Sequence, residues 1–466
     1  MFQENHLQNF IVDKSNLKND SIINLICLTS GDYTAWLEDQ TEQVKNWLVA
    51  NDFKARKGQI AYVPNSKGEL ECVVIGLNKM GDAYSIADIT TKLNSGYYAI
   101  QNIDSTWLTQ AVLAWGKAAY RFSKFDESKK QKAKLVWPDQ VDQENITKKL
   151  HALFWIRDME NDPTETFSTI QLTAQVQRLA KAFDADFETF AGDALLENNY
   201  PLVHAVGRAG AHEPRFSILS WGQEGHPLLC LVGKGVCYDT GGLSIKNTSG
   251  MILMKKDMGG AAHALGLAYL IMAFNLPIRL KLFIPAVENA VSANSYRPGD
   301  VFIARNGTSV EITNTDAEGR LVMADALAQA AENNPDLIID FATLTGAARV
   351  ALGLDIAAAM SVPANIAEEL QQISPSQDDP VATLPLYEPY RKYLKSHIAK
   401  TTNSASSPYG GAITAGLFLK LFVGDHNWLH FDIPAWNYDA GTSGPGAKAM
   451  GLLTVWAWLQ RKYVAI

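Results

Sequence analysis

The stretch Asn314-Thr315-Asp316-Ala317-Glu318-Gly319-Arg320 places two carboxylates two residues apart, a glycine directly after the second, and an arginine after that. A helix-like pattern follows at once. Two acids and a base packed into one turn are costly to bury unless a cation or a substrate neutralises them. A second polar island runs from Lys234 to Asp257, with Lys234, Asp239, Lys246 and Asp257 among its charged members. Both islands interrupt apolar, glycine-rich sequence. Asp239, Asp257, Asp316 and Glu318 supply carboxylates suited to hard divalent cations, and two cations sharing carboxylates can activate one water between them. These residues point to metal-assisted hydrolysis.

Each residue also has a plainer role to set beside this one. Asp316 or Thr315 could simply cap the helix that starts near Gly319. Lys234, in Val232-Gly233-Lys234-Gly235, could pair with a neighbouring aspartate. Among buried glycines and cations, however, desolvation and like charge lower a lysine's pKa, and the neutral amine can then bind a metal. A phosphate loop is excluded at Gly233-Lys234, because the pattern needs a glycine where Leu228 stands. Lys246 follows the turn-forming pair Gly241-Gly242 and could donate to an oxyanion or lie on the surface. Arg320 could grip a planar anion through two parallel hydrogen bonds, or merely start a helix. Asn314, Asp316, Glu318, Gly319 and Asp325 have the spacing of a calcium loop, but position 1 is not Asp, position 12 is not Glu, and a strand-like Val310-Glu311-Ile312 precedes them. The histidines form no zinc-ligand spacing, and His204, His212 and His263 read as structural.

The elements that must position these groups follow from apolar spacing. Ile22 to Leu28 and Cys72 to Leu77 read as strands; Trp36 to Ala50 and Thr109 to Phe122 read as helices. The charged segment Lys124 to Lys134 is the best boundary, and a helix is expected from about Glu144 to Met159, stopped by Asn161-Asp162-Pro163. Beyond about Thr166, strand candidates Leu228 to Val232, Arg279 to Pro285, Leu337 to Phe341 and Leu429 to Ile433 alternate with helix candidates. These are Ala261 to Phe274, Leu321 to Glu332, Ile366 to Ile373 and Ile413 to Val423. Such alternation predicts an α/β domain with a largely parallel, buried sheet, its charged islands just after strands, where such sheets place their sites. The expected division is an N-terminal α/β domain over 1–125, a linker and connecting helix over 126–165, and a catalytic domain over 166–466.

The bulk numbers fit. A chain of 466 residues is too long for one ordinary domain, and 47% hydrophobic against 19% charged residues allows a large core. A net charge of −8 argues against a protein devoted to nucleic acid. Four cysteines without a C-x-x-C pair read as reduced thiols in a cytoplasmic setting. Met1-Phe2-Gln3-Glu4-Asn5-His6 shows no secretory pattern, and no apolar stretch has membrane-spanning length; Ala449 to Leu459 reads as a buried helix.

At three places in order the chain resembles the leucyl aminopeptidase family, the cytosolic M17 metallopeptidases: Val232 to Gly242, Met254 to Ala261, and Asn314 to Leu321. The resemblance covers residues from about Pro201 onward well and the N-terminal part loosely. It implies a metallo-aminopeptidase, leucine-preferring but broad, with two divalent ions, zinc or manganese, that activate a water. By position, Lys234, Asp239, Asp257, Asp316 and Glu318 correspond to the metal ligands, with Asp239 and Glu318 shared. Lys246 and Arg320 correspond to the catalytic pair, and the counterpart of Arg320 holds a bicarbonate that acts as general base. Asp257, Thr343, Leu344 and Gly346 match substrate-binding positions, and Met254 a side-pocket position. The resemblance further implies a mixed, largely parallel catalytic sheet flanked by helices, a smaller macro-like N-terminal domain, a homohexamer and peptide substrates. Phe431-Asp432-Ile433-Pro434-Ala435-Trp436 carries a proline where the family more often has a small residue. Rival readings are a dipeptidase preferring cysteinyl-glycine and a moonlighting DNA-binding regulator, the latter opposed by the acidic balance.

Overall fold

The computed structural model describes residues 7–17, 21–126, 133–438 and 446–464. Met1 to His6 and the centre of the Lys124–Lys134 segment lie outside them. The chain forms two units, Met1–Phe154 with Asn437–Gly446, and Trp155–Trp436 with Ala447–Ile466. The division falls inside the helix Gln143–Asn161.

The first unit is α/β. Its strands are β1 (Ile11–Val12), β2 (Ile22–Thr29), β3 (Ile60–Pro64), β4 (Leu70–Leu77), β5 (Gly96–Gln101) and β6 (Ala133–Val136). They lie in the order β1-β6-β5-β2-β4-β3, with only β3 antiparallel to its neighbour. Strand β6 lies inside the 126–165 segment. The apolar pattern read as one helix over Trp36 to Ala50 is two, Tyr33–Glu38 and Glu42–Ala50. Thr41 separates them: its backbone is extended at ψ 155, and its side chain accepts from Val44 N–H, capping the second helix. The helix read from Thr109 is Ser105–Ala119, started by Asp104, whose carboxylate accepts from Thr106 N–H. Leu28, Val44, Leu48, Phe53 and Val74 form a core on one side of this sheet.

The second unit carries the charged islands. Its main sheet is built from β7 (Asp186–Ala191), β8 (Arg215–Trp221), β9 (Leu228–Gly233), β10 (Gly235–Asp239) and β11 (Arg279–Asn289). After a small hairpin, β12 (Val301–Ile303) and β13 (Ser309–Glu311), the sheet continues with β14 (Leu337–Ala342), β15 (Ala357–Val362) and β16 (Val381–Thr383). Strand β17 (Thr401–Thr402) pairs with β13, and β18 (Trp428–Asp432) completes the sheet. The order is β16-β15-β18-β14-β9-β11-β8-β7, with β10 also on β11. The middle, β18-β14-β9-β11, is parallel, while β15 against β18 and β8 against both β11 and β7 are antiparallel. The sheet is therefore mixed with a parallel centre. Every residue of β9 and β14 is buried, as expected for strands covered by helices on both faces. Among the helices, Gly259–Ala273 packs on β9 and β14, and Gly319–Glu332 packs on β9 and β11.

Asp325 ties the helix Gly319–Glu332 to its surroundings. It is fully buried; one oxygen accepts from Leu202 N–H (2.8 Å) and Val203 N–H (3.3 Å), the other from Arg305 N–H (2.9 Å). The helix Pro201–Gly207 has no side-chain cap of its own, so Asp325 caps it from a distance. This arrangement also disposes of the calcium-loop spacing, because both oxygens of Asp325 are committed to backbone. Asp325→Ala would orphan three buried N–H groups, each costing about 1–3 kcal/mol in isolation. We expect a loss of about 3 kcal/mol in chemical denaturation; a loss under about 1 kcal/mol would contradict this role. Among the described residues no helix is long and apolar enough to cross a membrane.

Candidate metal centre

Four segments deliver charge to one place. Strand β9 ends at Gly233, and Lys234 follows it into the interior. Its ammonium lies 2.7 Å from Asp257 Oδ2 and 3.0 Å from Glu318 Oε1, and donates to the Thr343 carbonyl at 2.9 Å. Gly319 makes room for it: a Cβ there would stand 2.4 Å from Lys234 Cε. Asp239 closes β10, and its Oδ2 is 2.8 Å from Lys246 Nζ. Lys246 also pairs with Asp316 Oδ1. One oxygen each from Asp239, Asp316 and Glu318 all lie within 4.8 Å of one another. Asp257 sits in a short 3-10 turn, Met254–Met258, and its Oδ1 accepts from the Thr343 hydroxyl at 2.8 Å. The five side chains matched to metal ligands and Lys246 thus converge.

The remaining residues stand around this cluster. Met254 is half-buried at the start of the turn that carries Asp257. Leu344 and Thr345 donate their N–H groups to Asp432 Oδ1, both at 3.1 Å, and the Thr345 hydroxyl donates to Oδ2 at 2.6 Å. Asp432 therefore fixes the segment Thr343 to Gly346, whose last residue starts the helix Gly346–Leu352 and is exposed. Arg320 opens the helix Gly319–Glu332 at 9% exposure, and its Nε and Nη1 have no hydrogen-bond partner. Burial lowers its pKa to about 10, against the opposing pull of Glu318 and Asp432. Neither Met254 nor Gly346 hydrogen-bonds to the carboxylates among the described residues.

Burial pulls the Lys234 ammonium toward neutrality, but Asp257, Glu318 and Asp239 outweigh it and raise the pKa. The same balance raises Lys246 through Asp239 and Asp316. With carboxylates alone beside it, Lys234 is their charged partner; the neutral amine expected from sequence belongs to a site that holds cations. Glu318 is pushed well above the ordinary carboxylate range, first by burial and then by Asp239; burial also raises Asp316. Neither Asp316 nor Thr315 caps the helix: Glu318 occupies that position, without a side-chain cap.

These residues fit divalent cations. Four carboxylates face two ammonium groups, and Glu318 Oε2 is buried with no hydrogen-bond partner. A buried carboxylate oxygen left unpaired is a cost that a cation removes.

Other polar residues escaped the sequence reading. Asn289, fully buried, donates to Asp239 Oδ1 at 2.8 Å and to the Thr315 carbonyl at 3.0 Å. Tyr296 donates its hydroxyl to the same carbonyl at 2.6 Å. Asn403 accepts from Thr313 N–H at 2.8 Å and donates to the Asn314 carbonyl at 2.7 Å. Each is a single polar residue that no local pattern marks. The histidines do hold structure: His263 lies 2.7 Å from the Gly259 carbonyl and accepts from Met450 N–H at 2.9 Å. His212 lies 2.8 Å from Glu288, and His204 3.2 Å from Asp193. All four cysteines are free thiols.

Comparison with known proteins gives concordant results. Residues 154–455 match the cytosol aminopeptidase family, catalytic domain, and residues 23–138 match the M17 aminopeptidase, N-terminal domain. Peptidase B of Pectobacterium atrosepticum is 36% identical over 410 residues, covering 83% of this chain and 93% of that protein. The crystal structure of cytosol aminopeptidase from Coxiella burnetii superposes with a TM-score of 0.93 at 42% identity, covering 97% of this chain and 99% of that one. The bottromycin maturation enzyme BotP in complex with Mn gives a TM-score of 0.84 at 27% identity, covering 94% and 99%.

Proposed function

This chain belongs to the M17 cytosol aminopeptidase family and is an aminopeptidase, a peptidase hydrolase; from that premise we propose that it removes N-terminal residues, leucine by preference but broadly, at a two-metal centre. The observation that carries the proposal is the convergence of Lys234, Asp239, Asp257, Asp316 and Glu318, with a buried, unpartnered Glu318 oxygen among them. These five side chains would hold two divalent ions, zinc or manganese, with Asp239 and Glu318 shared. When bound, such ions supply Lewis acidity and bring a water's pKa down to about 7.

The chain's own groups do the rest. Asp257 would lie beside the free amine of the peptide, a role that supports removal of the first residue only. Lys246, already poised between Asp239 and Asp316, donates to the oxygen of the scissile carbonyl as negative charge develops on it. Arg320, buried with two unpartnered donor nitrogens, would hold a planar anion such as bicarbonate, which would supply a general base. Asp432 holds Leu344 and Thr345, so that Thr343, Leu344 and Gly346 would border the substrate backbone, with Met254 at the side-chain pocket by family resemblance. Residues 166–466 would carry this activity within a cytoplasmic homohexamer, supported by the family resemblance.

A panel of aminoacyl p-nitroanilides with an N-acetylated control tests this reading. We expect release from Leu and several other free-amine substrates and none from the blocked one. Cleavage of the blocked substrate, or no release after Mn or Zn loading, would contradict it.

A further inference from the structure

We infer that Asn289 is a positioning residue of the metal centre: it selects which oxygen of Asp239 faces the ions and couples two ligand-bearing segments. The inference rests on the two-metal reading above and adds a residue to it.

The register of the sheet brings Asn289 to this place. Strand β11 runs parallel to β10, and its last pairing sets Asn289 beside Asp239. The Asn289 carbonyl accepts from Thr240 N–H at 3.0 Å and from the Thr240 hydroxyl at 2.7 Å, so its backbone is held as well. The side-chain amide has two hydrogens, and each has an acceptor that cannot donate. One goes to Asp239 Oδ1 at 2.8 Å, the other to the Thr315 carbonyl at 3.0 Å. Both acceptors demand a donor, so the amide nitrogen must face them. Its own oxygen lies where a Cβ on Gly242 would approach to 2.9 Å, and has no hydrogen-bond partner.

Two consequences follow for Asp239. Its Oδ1 accepts from Asn289 and from Gly241 N–H at 2.9 Å, leaving Oδ2 turned to Lys246. The carboxylate is therefore presented through one defined oxygen. The same amide grips the carbonyl next to Asp316, so Asp239 and the loop bearing Asp316 and Glu318 are fixed relative to one another. Leucine has nearly the same shape but no donor. An aspartate would set a carboxylate against another carboxylate and a carbonyl. Partners that orient metal ligands typically contribute 10–100-fold to metal affinity.

Tyr296 separates the two effects, because its hydroxyl bonds the Thr315 carbonyl at 2.6 Å and is not bonded to Asp239. Mn²⁺ binding to full-length metal-free protein is measured by titration calorimetry and by the free-Mn²⁺ resonance signal, alongside circular dichroism and the metal-free melting temperature. We expect Asn289→Leu to weaken Mn²⁺ binding by about 10–100-fold, and Tyr296→Phe to weaken it by less than about threefold. Asn289→Ser serves in place of the leucine variant should that one not fold. Affinity within about threefold of wild type in the Asn289 variant overturns the inference. So does equal weakening in the two variants, which would make the effect one of loop tethering alone. Wild-type protein that binds no Mn²⁺ would instead remove the two-metal reading itself.

Discussion

Replacing Glu318 by alanine should reduce aminopeptidase turnover by about a thousandfold or more without unfolding the protein. Glu318 is one of three carboxylates whose oxygens lie within 4.8 Å of one another, and its second oxygen has no hydrogen-bond partner. A cation there contributes several kcal/mol to the transition state, and each 1.36 kcal/mol is a factor of ten in rate. The metal-free protein should respond in the opposite sense. In the metal-free protein the Glu318 carboxyl, buried and crowded by Asp239, is pushed well above the ordinary carboxylate range, and Lys234 at 2.7 Å from Asp257 has a second carboxylate to pair with when Glu318 is gone. The metal-free melting temperature should therefore hold or rise, while the stabilisation on adding Mn²⁺, about 2.7 kcal/mol at a hundred times Kd for a single site, should disappear. Asp239→Ala should lose activity similarly. Retention of more than a few per cent of turnover in either variant would refute their role as ligands.

Replacing Lys246 by methionine should separate binding of the ions from catalysis. Its ammonium pairs with Asp239 at 2.8 Å and also with Asp316. It thus competes with cations for those oxygens, and its removal should leave Mn²⁺ affinity equal or tighter. The rate should nonetheless fall, because one donor to a developing oxyanion is worth about 10²–10³ in kcat. A fall in kcat with metal content intact is the expected signature. An unchanged kcat would remove Lys246 from the catalytic machinery, and a parallel loss of metal would move it among the ligands.

The parallel centre of the catalytic sheet was readable from sequence because β9 and β14 are buried on both faces and so appear as continuous apolar runs. The break at Thr41 was not, because both short helices keep apolar residues on one face and a single side-chain cap to Val44 N–H decides the division. The charged residues of the site stood out because they interrupt glycine-rich apolar sequence. Their supports did not. Asn403 reaches Asn314 across 89 residues, and Asn289 reaches Asp239 across 50, separations that no local pattern encodes. The protonation of Lys234 turns on which neighbours it has: three carboxylates raise its pKa, and cations beside it would lower it.

Anomalous diffraction collected on either side of the manganese and zinc edges, from crystals grown with each metal, tests the central claim most directly. The expected map has two peaks per chain, bounded by Lys234, Asp239, Asp257, Asp316 and Glu318, with ligand atoms at about 2.0–2.2 Å for zinc and with Asp239 and Glu318 touching both. A single peak, or peaks away from these side chains in fully loaded and active crystals, would contradict it.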